Sequence, residues 1–488
     1  MNSRSFKAKP DTDILSLLRP GEQILKKSLD ARKKTDIHWV VTAGRRIPAP
    51  LAPPPAPPDM RRPVDIGAGP SGLFAALYLA RAGAKPLVIE RGPDALQRQA
   101  DIEQFRSGGA FKRESNALFG LGGAGTFSDG KLNTNTHDGR IAQVLQVFYE
   151  HGADESVLYD AKPHVGTDVL IHVVQSIRDE ILSLGGEFRF NTRFEKLEIE
   201  AGCVTGILAG GQSVPCRDVI LAIGHSARDT FENLHSQLVP MERKTFSMGA
   251  RIEHRQCDID LSQYGAYPAS WQLPPAIYKL NHNTVYTFCM CPGGQVFPSN
   301  SEEGTVCTNG MSYSARDGVN ANSALLVTVK PEDFPCEGVL AGMYWQREIE
   351  KKAFAFGGGN YLAPAQLVGD FLRGVPSSGP GRVIPTYRPG VLYGDIGLVL
   401  PESITSAMRE ALPELDKKLH GFADAEAVLT APETRSSSPV RILRDKDGQS
   451  SVKGLWPCGE GAGYSGGITS SAVDGLRIAE AILFMYNR

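Results

Sequence analysis

Residues 64–92 read VDIGAGPSGLFAALYLARAGAKPLVIERG. A short apolar entry leads into a glycine-rich turn, the turn opens a helix, and a second apolar strand closes on an acid. Gly67, Gly69 and Gly72 stand in G-x-G-x-x-G register. In such a unit the first glycine permits a tight strand-to-helix turn. The second lets the backbone approach a pyrophosphate with no Cβ in the way, and the third lets the helix pack close to the sheet. Leu73, Ala76, Leu77 and Ala80 give the helix a buried stripe, and Gly83 is its C-terminal stop. Glu90 lies about twenty residues beyond the glycines, where a carboxylate meets the ribose hydroxyls of a dinucleotide. The stretch therefore predicts a dinucleotide site on a doubly wound α/β sheet, with a glycine-rich turn in an ordinary α/β domain as the blander alternative. Asp65 breaks the pattern, because an ionised carboxylate in a strand between helix layers is costly unless paired. Arg61 or Arg62 is the expected partner, unless the strand starts later.

Outward from this stretch, the 488 residues suggest two to four domains, and 41% hydrophobic with 22% charged residues is ordinary for a globular protein. A net charge of -2 gives no basic field for nucleic acid. No apolar run reaches the roughly 18 residues of a membrane helix, and the N-terminus lacks a signal peptide's apolar core. No integral membrane segment is expected, and the cytoplasm is the default location. The 8 cysteines lack disulfide-framework spacing and C-x-x-C pairs, so free thiols and no metal site are expected.

Residues 1–60 hold a small N-terminal region, read as a βαβ-like unit, and a proline-rich extended linker acting as a spacer. Residues 61–235 and 430–488 form a discontinuous nucleotide-binding domain. Within it, 167–184 carry helical spacing, Phe188 and Phe190 start a β section, and Leu197 and Ile199, then Val204 and Ile207, alternate as in a small antiparallel β-meander. Residues 218–224 (DVILAIG) are a buried strand, and 468–484 form a helix entered through glycines. Residues 236–429, rich in strands and aromatics, form a second mixed α+β substrate or cap domain. A few of its aromatics are expected to wall a planar substrate. A second glycine-rich stretch, SNALFGLGGAGTFSDGKL at 115–132, suits a backbone pressed against a flat or phosphorylated ligand.

Three motifs together carry a resemblance: GAGPSG…IERG, SNALFGLGGAGTFSDGKL and PCGEGAGYSGGITSSAVDG at 457–475. They resemble the uncharacterised FAD-dependent dehydrogenases, or NAD(P)/FAD-dependent oxidoreductase-like proteins, among the glutathione-reductase-type flavoproteins. KPHVGTD at 162–168, AIGHSARDTFE at 222–232, YTFCMCPGG at 286–294 and ETRSSSPVRI at 433–442 look like the same family. The resemblance implies FAD, with Gly67, Gly69, Pro70 and Gly72 at its pyrophosphate and Glu90 at the adenosine ribose, and with Ser71 and Arg91 as further cofactor-binding residues. It implies that Gly122, Gly123, Ala124, Gly125 and Thr126 run along the flavin. Ala222, Ile223 and Gly224 would lie beside the adenosine half, and Gly459 and Glu460 by the ribityl chain. Gly466, Gly467 and Ile468 would bring a helix N-terminus to the flavin pyrimidine edge, where its positive end stabilises the reduced ring. Leu121 stands where the family often has an acid, and the proline-rich region is short for the family.

Only one dinucleotide fingerprint has a carboxylate partner, so no dedicated NAD(P)H domain is expected, and NAD(P)H enters only as a transient reductant. The expected activity is hydride transfer between flavin N5 and a small organic substrate, unsaturated compounds included. The alternative is an electron-transfer flavoprotein serving a redox partner protein or quinone. Candidate catalytic residues are Arg435, an anion holder or a structural ion pair; Cys289 and Cys291, thiols near the flavin or small core residues; and His225, a general acid or a backbone-bonded histidine. Asn309 and Arg316 are further candidate substrate contacts.

Overall fold

The structure is a computed structural model that describes residues 3–134 and 136–487. The opening stretch folds as its spacing predicts. Val64–Ile66 is a strand, Pro70–Arg81 a helix and Leu87–Ile89 the next strand, parallel to the first. They sit in a five-stranded parallel sheet ordered Leu455–Pro457, Val219–Leu221, Val64–Ile66, Leu87–Ile89, Glu187–Arg189. Side chains alternate across this sheet. Val64, Ile66, Leu87, Ile89, Val219 and Leu221 pack toward the antiparallel meander of Phe194–Glu200, Cys203–Ala209 and Gln212–Pro215. Val88, Ile220 and Trp456 face a helical layer containing Pro70–Arg81, Thr167–Ser183 and Ile468–Tyr486. The first and last of these helices touch backbone to backbone: a Cβ on Gly475 would lie 2.1 Å from the Ser71 carbonyl oxygen, so only glycine allows the crossing.

Asp65 shares the helix-facing register with Val88 and Ile220, yet it is fully buried and neither carboxylate oxygen has a hydrogen-bond partner. The expected arginine partner is absent, because Arg62 points outward to Glu187 at 2.8 Å and to the Lys85 carbonyl. Burial alone pushes the Asp65 carboxyl well above its ordinary range.

A second, seven-stranded sheet runs Asn281–His282, Val285–Cys291, Asn320–Val329, Phe246–Arg255, Val428–Glu433, Ala363–Leu367, Val391–Tyr393. It is antiparallel except for the last pair. Ala341–Phe356 and Glu402–Asp416 pack against it and share its apolar core.

The N-terminal region corrects the βαβ expectation. Arg4–Ala8 and Gln23–Asp30 both pair antiparallel with His38–Gly44, and the segment between the first two holds only the short helical turn Leu15–Leu17. Residues 31–37 are too few for the dozen or more that a parallel crossover needs. The proline-rich segment is extended but not a free spacer. Leu51 is buried against the helical layer, its carbonyl accepts from Arg81 at 3.0 Å, and the Ala56 N–H donates to the Ala82 carbonyl at 2.7 Å.

Candidate functional site

One cavity of about 780 Å³ opens beyond the carboxyl ends of the parallel strands and reaches the seven-stranded sheet. Its first wall is the glycine turn. Gly67 has φ +105°, and a Cβ there would lie 2.4 Å from the Ala222 carbonyl oxygen; a Cβ on Gly72 would lie 1.9 Å from the Gly67 carbonyl oxygen. Gly69, by contrast, has no atom nearer than 3.9 Å to a Cβ position, so its missing side chain leaves room on the cavity side. Pro70 and Ser71 line the cavity at the helix N-terminus, which has no side-chain cap and no acid in its first turn. Such an end presents unpaired N–H groups and a positive dipole.

Glu90 lines the same wall. One of its oxygens accepts from the Ala68 N–H at 2.8 Å, and the other from the N–H groups of Gly92 (2.8 Å) and Gly120 (2.9 Å). A carboxylate has about four acceptor sites, so capacity for a ligand hydroxyl remains. Arg91 is held by Glu114 and Asp229, each gripped through two hydrogen bonds, and lies over the Phe119 ring. The second glycine loop docks on the first: the Gly122 N–H donates to the Ala68 carbonyl at 2.8 Å, and Gly123 abuts Gly69. Gly123, Ala124 and Gly125 line the cavity, whereas Gly122 and Thr126 lie behind it. Ala222, Ile223, Gly224 and His225 follow on the neighbouring strand end. The His225 ring stands 3.3 Å from Glu460, which also accepts from the Gly467 N–H at 3.3 Å. Gly466, Gly467 and Ile468 form a second helix N-terminus on the cavity, again uncapped and without an acid in its first turn. Gly72 and Gly459 are behind the surface; the Gly459 N–H donates to Asp474 at 2.8 Å. Two open helix ends, two glycine walls and a partly satisfied carboxylate fit a long dianionic dinucleotide.

The far end is built from the second sheet. Of the aromatics noted in the sequence, Tyr278 and Phe288 line the cavity, and most of the rest pack in the core. Asp129 is fully buried. Burial opposes its charge, but Lys131 and Arg316 outweigh it and hold the carboxyl below its ordinary range. Arg316 and Asn309 both line the wall, and the guanidinium of Arg316 is engaged by Asp129. Cys289 lines the cavity with φ +44° and Cys291 is buried behind it. Arg435 reaches the wall, but its guanidinium is bound twice by Glu350 (2.9 and 2.5 Å) and donates to Ser301. Arg228 grips the same Glu350 from the other side at 2.8 and 2.9 Å. Sequence reasoning did not single out Glu433, which lines the cavity. Burial pushes its carboxyl up to about 7, although Arg251 at 3.2 Å acts in the opposite sense. Its signal was present in the ETRSSSPVRI motif, of which it is the first residue.

Comparison with known proteins now adds a family. Residues 245–436 match the family described as FAD-dependent protein, C-terminal domain-like, and residues 66–124 match an NAD(P)-binding Rossmann-like domain. A relative from Clostridium beijerinckii, named as an uncharacterized protein, is 48% identical over 429 residues, covering 86% of this chain and 80% of its own length. The chain belongs to the FAD-dependent protein family. It is an FAD-dependent oxidoreductase, and FAD is its cofactor. Among solved structures, glycine oxidase from Bacillus cereus aligns over 87% of this chain and 95% of its own, at 13% identity and a TM-score of 0.33. L-amino acid deaminase from Proteus vulgaris aligns over 88% and 95%, at 11% identity and 0.38. Both likenesses are too distant to bear on the substrate of this FAD-dependent protein. Among its described residues, no helix is long and apolar enough to cross a membrane.

Proposed function

We propose that this FAD-dependent protein moves a hydride between flavin N5 and a small organic substrate, unsaturated compounds included, and that it belongs to the glutathione-reductase type of flavoprotein. The observation that carries this reading is the continuity of one cavity. It joins two uncapped helix N-termini at one end to a cluster of ionisable side chains at the other. The parallel sheet with its antiparallel meander supports the type. Residues 61–235 and 430–488 are the cofactor-binding unit in this reading, 236–429 supply the substrate wall, and 1–60 are accessory.

When bound, FAD supplies two-electron chemistry at its isoalloxazine ring. The backbone at Gly67–Gly72 would hold the diphosphate on the first helix end, and Glu90 would accept from the adenosine ribose. The end of the helix beginning at Ile468 would present positive charge to the pyrimidine edge, and Glu460 would sit by the ribityl chain. Glu433, titrating near neutrality, is suited to hold or release a proton for the substrate. Cys289 and His225 also line the cavity and carry proton-transfer chemistry, while Arg435 keeps Glu350 and the strand end in place. NAD(P)H acts as a transient reductant in this scheme.

The test is anaerobic mixing of the purified yellow protein with NADH, NADPH and a panel of small organic donors. Bleaching by one of them supports hydride transfer. Bleaching only through a redox protein or a quinone would replace it with electron transfer, and a colourless protein that refuses added FAD would overturn the reading.

A further inference from the structure

The strand Val285–Cys291 is irregular where its two cysteines fall. Its pairing with Asn320–Val329 is regular to Phe288 and resumes only at Cys291, with a shift of register between them. Cys289 sits in the shifted segment in the left-handed region, φ +44°, which is uncommon for any residue with a Cβ. The Arg251 guanidinium fastens this conformation by donating to the Cys289 carbonyl at 3.0 and 3.3 Å, and the Cys291 thiol donates to the same carbonyl at 3.2 Å. The result is that Cys289 lines the cavity and Cys291 lies buried behind it, its thiol tied to the backbone of its neighbour.

The charges around the pair are also built. Lys131 donates to the carbonyl of Met290, the residue between the cysteines, and Arg251 lies within 3.7 Å of the Cys291 sulfur. The Cys291 hydrogen bond and the charges of Lys131 and Arg251 hold the Cys289 thiol well below its ordinary range, against the effect of burial. Cys291 is driven the other way, by burial and by its neighbour, and keeps its proton. Burial drives the other buried cysteines upward instead: Cys216 to about 12, Cys307 to about 11 and Cys458 well above its ordinary range. A pair of core residues needs neither a strained backbone nor two flanking cations.

We propose that Cys289 and Cys291 are a redox-active dithiol that closes to a disulfide and delivers two electrons to the flavin of the same cavity. The inference rests on the FAD reading and adds an electron donor to it. In the step, a sulfur–sulfur bond forms between the Cys289 thiolate and Cys291, and the Cys291 S–H bond breaks. The electron pair and that proton pass to oxidised FAD, giving the reduced anion. An external small dithiol then restores the pair by thiol–disulfide exchange at Cys289, the sulfur that lines the cavity.

Two measurements test this. The FAD-loaded protein is oxidised with diamide, freed of reagent and titrated anaerobically with dithionite. Two equivalents per flavin are expected, falling to one in Cys289→Ser and in Cys291→Ser. In parallel, protein stripped of flavin is treated with diamide and digested under acid, and the peptide holding both cysteines should weigh two hydrogens less than its reduced form. The peptide measurement on the unaltered chain stands if either variant fails to fold. One equivalent per flavin together with two free thiols in the peptide overturns the dithiol and leaves the hydride reading intact. A disulfide in a chain that takes up no FAD overturns the flavin reading, and the electron transfer with it.

Discussion

At the scale of single residues, Asp65 and Glu350 show opposite ways of burying a carboxyl. Asp65 has no partner, and its folded-state pKa is raised. A raised carboxyl favours folding only while protonated, so its cost appears as pH rises above the unfolded value of about 3.9 and is complete only above the folded pKa. Asp65→Val should therefore stabilise the protein by about 1–3 kcal/mol near neutrality. The gain should shrink toward pH 4, as urea unfolding at several pH values would register. Glu350 is clamped by Arg228 and Arg435. Burial opposes its charge, but the two guanidinium groups outweigh it and hold its pKa far below the ordinary value. Its contribution is present above the unfolded value of about 4.3 and is lost as pH falls through the folded one. Glu350→Ala leaves two buried cations facing each other and should cost about 3–5 kcal/mol in the same measurement at pH 7. The sequence drew attention to Arg435 but not to its partner. Glu350 lies on the helix Ala341–Phe356, and no local spacing connects that helix to the strand end at Glu433. Asp65 was visible as an anomaly, but whether an arginine reached it depended on side-chain direction, which periodicity does not carry.

At the scale of elements, the two open helix ends are the working parts. Gly466 has nothing within 4 Å of a Cβ position and does not have a positive φ, so a side chain fits there without strain. Gly466→Asp would place a carboxylate beside an uncapped N-terminus, which favours the apo-protein by a few tenths of a kcal/mol to about 1 kcal/mol. The same carboxylate would intrude on the cofactor, so FAD affinity should fall by at least about tenfold, or about 1.4 kcal/mol. Thermal unfolding of the apo-protein and flavin-quenching titration should thus move in opposite senses. Both helices were legible, because each combines a glycine entry with an apolar stripe, and so was the meander, because its strands alternate cleanly. The N-terminal sheet was not. Its apolar pieces are short enough to read as helix or strand, and only the length of the 31–37 connection decides between the topologies. The bulge at Cys289 was also hidden: two cysteines at i and i+2 predict one strand face, and the register shift that turns Cys289 onto the cavity arises from pairing with a strand far along the chain.

At the scale of the whole molecule, the cavity lies where the parallel sheet meets the seven-stranded one, so a ligand there touches both cores. FAD bound only to the folded form should raise stability by about 2.7 kcal/mol at a hundredfold excess over Kd. A thermal shift that grows with the logarithm of added FAD is the expected record of this. The β-sheet order carries a further consequence. The strand Leu455–Pro457 pairs beside Val219–Leu221, and the helix Ile468–Tyr486 crosses Pro70–Arg81 at Ser71. During synthesis the fingerprint glycines emerge hundreds of residues before the segment that seats against them. The nascent chain therefore has half a cradle until that later segment has been made, and flavin loading must await it.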